Sequence, residues 1–341
     1  LARAEGLAAF LEAIPALVLG AALAGWLATG ITLMAGTNRQ SPPSGMPRSD
    51  HEGPGLRDDR KVPITVWCAM AVYVLVSVSM NWQLYRGLLV PHGDSAMYEE
   101  HLWNLLHGKG FRSYLDQGLF LGEHIQFVHL FLIPLYVLWP SHLLLELCES
   151  TALAIGAVPV FWIARRHTGS TTAAIALACA YLLYFPMQFL DIAIDLKTFR
   201  PISFGIPALL LALDELERRH YGRMLVWMAV TLSAKEDFAL ILAPLGVWIA
   251  LARPGDAGRT PTRLGWTLAG FSVVYLILVV TVILPWFRGG AEPHYAHYFG
   301  NLGGTPSDIV RHVLTDPVPV VAKLVSLRSW LYLLMLLVPL G

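Results

Sequence analysis

The chain has 341 residues, of which 55% are hydrophobic and 14% charged, with a mean hydropathy of +0.56. Soluble domains carry about 25% charged residues, so this composition excludes an ordinary soluble globule and points to a membrane protein. The formal net charge is zero, which excludes the broadly basic surface that nucleic-acid binding uses, and no nucleic-acid partner is expected.

The chain opens on Leu1 rather than Met and stops inside the apolar run "LYLLMLLVPLG", so it reads as a fragment. Its first apolar run has no basic leader, so no cleavable signal peptide is expected. Residues 1–36 form an N-terminal apolar segment rich in Gly and Ala and broken by Pro15, with small residues suited to helix packing. Residues 37–61 are polar and rich in Pro and Gly, a flexible cytoplasmic linker. Residues 62–341 then read as a multi-span membrane domain that is incomplete at its C-terminus.

A bilayer-crossing helix needs about 20 apolar residues and must satisfy its own backbone. On that rule 62–84 is the first clear span. Residues 95–118 read as short amphipathic helices outside the hydrocarbon. The run 126–139 is short, contains Pro134 and ends at Pro140, which fits a re-entrant or interfacial helix. Further spans are expected at 142–164, 172–190, 201–217, 222–234, 238–252 and 264–287, with another starting near 329. The fold class is therefore an all-α, polytopic helical membrane protein. Cys68, Cys148 and Cys179 lie inside apolar runs and read as small buried hydrophobes.

Lys and Arg in short loops set the orientation. Arg165 and Arg166; Arg218, Arg219 and Arg223; and Arg253, Arg259 and Arg263 mark three loops as cytoplasmic, together with the linker. The spans then alternate without conflict if 126–139 does not cross. Asp94, Glu123, Asp191, Asp195, the Lys235–Asp237 triplet and the loop 288–328 share the external face, in a multi-pass protein of the bacterial cytoplasmic membrane.

The external stretches hold the candidate chemistry. Asp94, in "GDS" before an amphipathic helix, is a helix cap, a general base or a cation ligand. Glu99 and Glu100 follow it, one of them able to point into the same cavity, and Trp103 is an interfacial anchor. Glu123 and His124 can hold a metal or a phosphate, relay a proton, or simply end a solvated loop. Asp191, Asp195, Lys197 and Arg200 lie on another external turn, where Arg200 can grip a phosphate or serve a plain surface turn.

Lys235, Glu236 and Asp237 sit between two runs barely long enough to cross. They form a snorkelling turn or, as the preferred reading, place Lys235 against a lipid phosphate. Glu146 and Glu149 lie about one turn apart inside an apolar run. His294 and His297 have a chelating spacing, but their aromatic, Gly-rich loop equally suits a sugar or headgroup cover. No metal site is assigned, no cofactor is certain, and a divalent cation is left open. The chain has no P-loop, nucleophile elbow, zincin motif or dinucleotide fingerprint in context.

"GDSAMYEEHLWNLLHGKGF", "LGEHIQFVHLFLIPLYVLWP" followed by "ALAIGAVPVFWIARRHTG", and "LSAKEDFALIL" resemble a bacterial family of predicted polytopic membrane proteins known only as a domain of unknown function. That family is similar to the GT-C glycosyltransferases, which include protein mannosyltransferases and lipid A aminoarabinose transferases. The resemblance spans about residues 62 to 300. It implies a GT-C-like fold and a lipid-linked sugar donor, a polyprenyl phosphate, embedded among membrane lipids. It also implies that an acid in the first external loop acts near the acceptor. Asp94 and Glu99 fall on the family's two acids there, as catalytic candidates. Glu123 and His124, with Glu for Asp, match a Gly-Asp-His motif, and Lys235, Glu236 and Asp237 match directly; with Arg200 these are the substrate-binding candidates. Where the family commonly has Asp-Phe-His-Pro-Glu, this chain reads "TFRPI", with Thr198, Arg200 and Ile202 replacing an acid, a His and an acid.

The leading expectation is a membrane glycosyltransferase in which Asp94 takes the acceptor's hydroxyl proton while Lys235 and Arg200 offset the donor phosphate. The rivals are a transporter or lipid flippase using Glu146, Glu149 and the Lys235 cluster, and a non-catalytic membrane scaffold. The absence of an internal repeat weighs against the transporter.

Overall fold

The computed structural model describes residues 60–89, 93–110, 124–193, 199–251, 259–288 and 306–337. Residues 1–36 and most of the linker lie outside that set. Among the described residues every regular element is helical and there is no strand. The chain divides into two units, Lys61–Ile309 and a second made of Leu1–Arg60 with Val310–Gly341.

In the first unit, α1 (Ile64–Arg86) buries Val66, Met70, Tyr73, Ser77 and Asn81, which recur about one turn apart and make a single stripe. Trp67, Val72, Leu75 and Val76 are exposed on its other faces, an apolar surface suited to lipid. Cys68 is exposed as well, and Cys148 and Cys179 are half-buried, so the three thiols are not the enclosed core groups expected; Cys68 falls off the buried stripe. α2 (Gly93–Leu106) follows, and then a 3-10 turn (Val128–Leu132) leading into α3 (Ile133–Leu138). This short stretch falls well below spanning length, in keeping with a re-entrant or interfacial helix.

α4 (His142–Ile155) and α5 (Ala157–Thr168) together make one 27-residue span. In its most apolar window 61% of the residues are buried, against 28% for Ile64–Arg86 and for Pro261–Phe287, so it is the central helix of this unit. Ser141 caps it, Oγ accepting from the Leu143 N–H at 3.2 Å. Gly169, left-handed at φ 66°, ends it, and Ser170 caps α6 (Thr171–Leu183) by accepting from the Ala173 N–H at 3.3 Å. Phe161, Leu153, Ala174, Ala178 and Leu182 pack with Val66 and Met70 into one core. α7 (Phe185–Gln188) and a π turn (Phe189–Ala193) bend away from α6 by 42°, so Thr171–Ile192 is a bent apolar pair with the form of a broken span or a re-entrant loop.

α8 (Ile202–Glu217), α9 (Tyr221–Ala234) and α10 (Ala239–Leu251) have 16, 14 and 13 residues. At about 1.5 Å per residue they rise about 20–24 Å, short of about 30 Å of hydrocarbon. The expected spans at 201–217, 222–234 and 238–252 are therefore helices too short to cross individually. α11 (Arg259–Leu278), a second π turn (Val279–Ile283) and α12 (Leu284–Phe287) supply the long span Pro261–Phe287.

α10 and α11 touch backbone to backbone. A Cβ on Gly246 would fall 2.5 Å from the Ala269 nitrogen, and one on Gly265 would fall 2.4 Å from the Ala250 nitrogen. Gly246 with Ala250, and Gly265 with Ala269, form small-xxx-small seams, which bring helices together where lipid offers little hydrophobic drive.

Three arginines of the expected cytoplasmic loops, Arg166, Arg218 and Arg223, are tied down at one end of this unit. Arg166 bridges buried Asp214 at 2.5 Å and Glu217 at 2.7 Å, and Arg218 adds a second contact to Asp214 at 3.0 Å. Glu215 meets His220 at 2.7 Å and Arg223 at 3.3 Å.

α13 (Pro306–Thr315) runs across the boundary between the units in sequence. In the second unit α14 (Pro317–Leu324) and α15 (Leu327–Leu337) make another bent apolar pair. The described residues thus hold three helices long and apolar enough to cross a membrane, or up to five spans if each bent pair counts as one.

Candidate functional site

At the other end of α8 and α9 from the arginine network, polar side chains are buried among the helix ends. α2 contributes its buried face, on which Ser95, Tyr98, His101 and Asn104 lie beside the apolar Leu102. The Ser95 hydroxyl donates to Glu146 Oε1 on α4 at 3.3 Å and accepts from the Phe199 N–H at 2.7 Å. One turn along α4, Glu149 Oε1 accepts from the Ser203 hydroxyl at 2.6 Å and the Arg200 N–H at 3.2 Å. Ser150 donates to Asp191 at 2.8 Å. Glu146, Glu149 and Asp191 are all buried, and hydrogen bonds from hydroxyls and backbone are what allow carboxylates in such a setting. Two residues of one helix therefore fix both the start of α2 and the approach to α8.

A second group centres on the turn between α9 and α10. Lys235 is extended, at φ −168° and ψ 143°, and breaks the helix; Glu236–Phe238 forms a 3-10 turn. Glu236 points inward. Its Oε1 lies 2.7 Å from His124 Nδ1, and its Oε2 accepts from the Ile125 N–H at 2.8 Å. Gln126 donates to the Tyr98 hydroxyl, and the Phe127 N–H donates to the Ser233 carbonyl at 2.9 Å. The segment His124–Phe127 is thus fastened to α2, α9 and the turn. Tyr98 also meets Phe199 edge-on at 5.4 Å, which joins this group to the first.

Behind Tyr98 lie two buried imidazoles, His101 and His129, with ring centroids 5.6 Å apart. Burial pushes His101 down to about 4 and His129 down to about 3, the neighbouring His101 adding to the effect on His129.

The expected site residues fall unevenly into this arrangement. Asp94 lies in α2, beside Ser95, with its side chain outside the described residues; Glu123, Asp195, Lys197, Thr198, His294 and His297 lie wholly outside them. Glu99 accepts from the Tyr136 hydroxyl at 3.0 Å. His124 and Glu236 are brought together. Arg200 sits by the α4 carboxylates through its backbone, its side chain half-buried. Lys235 turns to Asp237 at 2.8 Å, which offsets the charge assigned to a lipid phosphate. Glu146 and Glu149, read from the sequence as parts of a transport pathway, hold other segments in place. Ser95, Ser203, Tyr98, Gln126 and His129 carried no signal, because neutral side chains reveal themselves only through the partners that folding brings. Among the described residues no three His, Cys, Asp or Glu side chains are placed to hold a metal ion.

Residues 87–341 match the model of the family DUF2079, described as a predicted membrane protein. The chain belongs to this family. The match takes in α2, the His124–Phe127 segment, the α4 carboxylates and the Glu236 turn, so the whole polar layer is family territory. Neither a curated protein nor a solved structure matches the chain.

Proposed function

We propose that this membrane protein transfers a sugar from a polyprenyl-phosphate donor to a hydroxyl acceptor at the polar end of the bundle. One observation supports the reading above others. Glu146 and Glu149 hold the start of α2 and the residues around Arg200 in one layer, so segments that the GT-C resemblance singles out are neighbours rather than scattered loops. The α9–α10 turn reaches the same layer through His124, Gln126 and Tyr98.

The chemistry follows from charge. The donor is a phosphodiester with one negative charge, and its leaving group, a polyprenyl phosphate, acquires a second. The bond from the anomeric carbon to the phosphate oxygen breaks as the bond to the acceptor oxygen forms. The acceptor's proton goes to Asp94. Stabilising the developing phosphate charge matters more than protonating it. Arg200, whose planar guanidinium can meet two phosphate oxygens at once, and Lys235 are the cations assigned to that task. The Arg-bearing loops at the opposite end favour the cytoplasmic side by the positive-inside rule, which supports an external face of a bacterial cytoplasmic membrane as the side of this chemistry.

The test is Asp94→Asn in purified full-length chain supplied with lipid-linked sugars, with mass spectrometry for a co-purifying prenyl phosphate. Transfer is expected to vanish while unfolding is unchanged. Transfer at the wild-type rate removes Asp94 from the mechanism. The transporter reading draws on Glu146 and Glu149 inside the central span, but their bonds to Ser95, Ser203 and the Arg200 N–H speak for a holding role.

A further inference from the structure

The pairing of His124 with Glu236 is more specific than two polar residues in a cavity wall. Glu236 is buried, its side chain 4% exposed, whereas that of His124 is 32% exposed. The carboxylate has two acceptor oxygens and meets two donors, His124 Nδ1 on Oε1 and the Ile125 N–H on Oε2. With Glu236 ionised and the imidazole neutral, Nδ1 carries its proton toward the carboxylate. The Nε2 lone pair then faces away from it. Among the described residues Nε2 makes no hydrogen bond and is not enclosed.

The ring is also held rigidly from behind. Ile125 packs against Val279 and Leu284, Gln126 is bonded to Tyr98, and Phe127 is bonded to the Ser233 carbonyl. A side chain fixed by its supporting shell and open at one atom is the usual form of a recognition group.

We propose that His124 is a hydroxyl-reading subsite: Nε2 accepts a hydrogen bond from a hydroxyl of the bound sugar, and Glu236 is the positioning residue that fixes the tautomer. The idea rests on the sugar-transfer reading for the class of ligand. It departs from a phosphate clamp at this position. A neutral imidazole showing a lone pair, with a buried carboxylate 2.7 Å behind it, repels an anion and welcomes an O–H donor. Glutamine at position 236 cannot replace the carboxylate, because its one oxygen can serve only one of the two donors. The backbone N–H of Ile125 cannot change its role whereas the imidazole can exchange its tautomer, so the amide oxygen serves Ile125, Nδ1 faces the amide NH2, and the proton moves to Nε2.

The experiment is 15N NMR of the full chain in nanodiscs with labelled histidine, the His124 signal identified by its loss in His124→Gln. Wild type is expected to show the proton on Nδ1, and Glu236→Gln to show it on Nε2. Methyl hexosides and methyl pentosides, titrated in turn, are expected to shift the Nε2 resonance in at least one case, and inorganic phosphate to leave it in place. A wild-type proton on Nε2, no response to any of these sugars, or a saturable response to phosphate overturns the proposal. These three readouts use the unmutated protein, so a misfolded Glu236→Gln cannot blunt them; a folded Glu236→Gln with an unchanged tautomer also overturns it. None needs turnover. An absence of transfer with the tautomer and sugar response intact therefore counts against the enzyme reading and leaves the subsite standing.

Discussion

Gly205→Ala measures how tightly the Glu236 turn is seated. Gly205 is in α8, and a Cβ there would lie 2.2 and 2.5 Å from the Phe238 ring and 3.1 Å from the Ala234 side chain. Carbon atoms rest about 3.5 Å apart, so the ring would have to retreat by about 1.3 Å. Phe238 is buried and ends the 3-10 turn that carries Glu236, so it has little room to give. Overpacking of this kind costs about 1–3 kcal/mol. Alanine also gains about 1 kcal/mol of helix propensity over glycine, which masks part of that cost.

Gly222 on α9 supplies the control, since a Cβ there meets nothing within 4 Å. Gly222→Ala collects the propensity gain alone, so the difference between the two variants isolates the packing cost of about 1–3 kcal/mol. The assay is denaturant unfolding of the full chain in micelles, with Gly205→Ala/Phe238→Leu as the rescue. If Gly205→Ala is as stable as Gly222→Ala, Phe238 does not pack on Gly205 and the seating of the turn is misread.

Gly246→Val is expected to be more damaging than Gly205→Ala, because the atoms it strikes are the Ala269 nitrogen and the Gly265 carbonyl, and backbone cannot rotate away; unfolding titrations rank the two. Glu149→Ala strands the Ser203 hydroxyl and the Arg200 N–H and should cost at least about 2 kcal/mol, whereas Glu149→Gln retains an acceptor oxygen and should cost less; equal losses would mean that these bonds contribute nothing. His101 and His129 titrate below the ordinary imidazole value of 6.5, so the folded chain stays neutral where the unfolded chain binds protons. Stability should therefore be full above about pH 6.5 and fall toward about pH 4, by up to about 1.4 kcal/mol per pH unit for each imidazole. Replacing both with Asn should flatten that slope in a pH series of unfolding curves.

Much of the helical frame was legible in the sequence. The runs at 62–84, 142–164 and 264–287 became continuous helices of spanning length, because about 20 apolar residues have little choice in a bilayer but to bond within one helix. The shortness of 126–139 was equally legible. At 201–252 the same hydropathy signal misled, since apolarity does not report where a helix stops; Lys235 in an extended conformation and the tight seam at Gly246 and Gly265 are set by packing.

In the polar layer the acids stood out but their purposes did not. Glu146 and Glu149 invited a transport reading because charge inside a span is costly, and the structure gives them hydroxyl and backbone donors from residues about 50 positions away. Lys235 invited an anion, and its partner is two residues on. The sequence by itself determined that this is a helical membrane protein with most of its acids and histidines outside the apolar runs and with Glu146 and Glu149 as exceptions inside one, since hydrocarbon dictates the helices and disfavours charge. Only the tertiary structure decided that His124 belongs to Glu236, 112 residues away, because hydrogen-bond geometry between distant segments is written in how helices pack and not in the order of their residues.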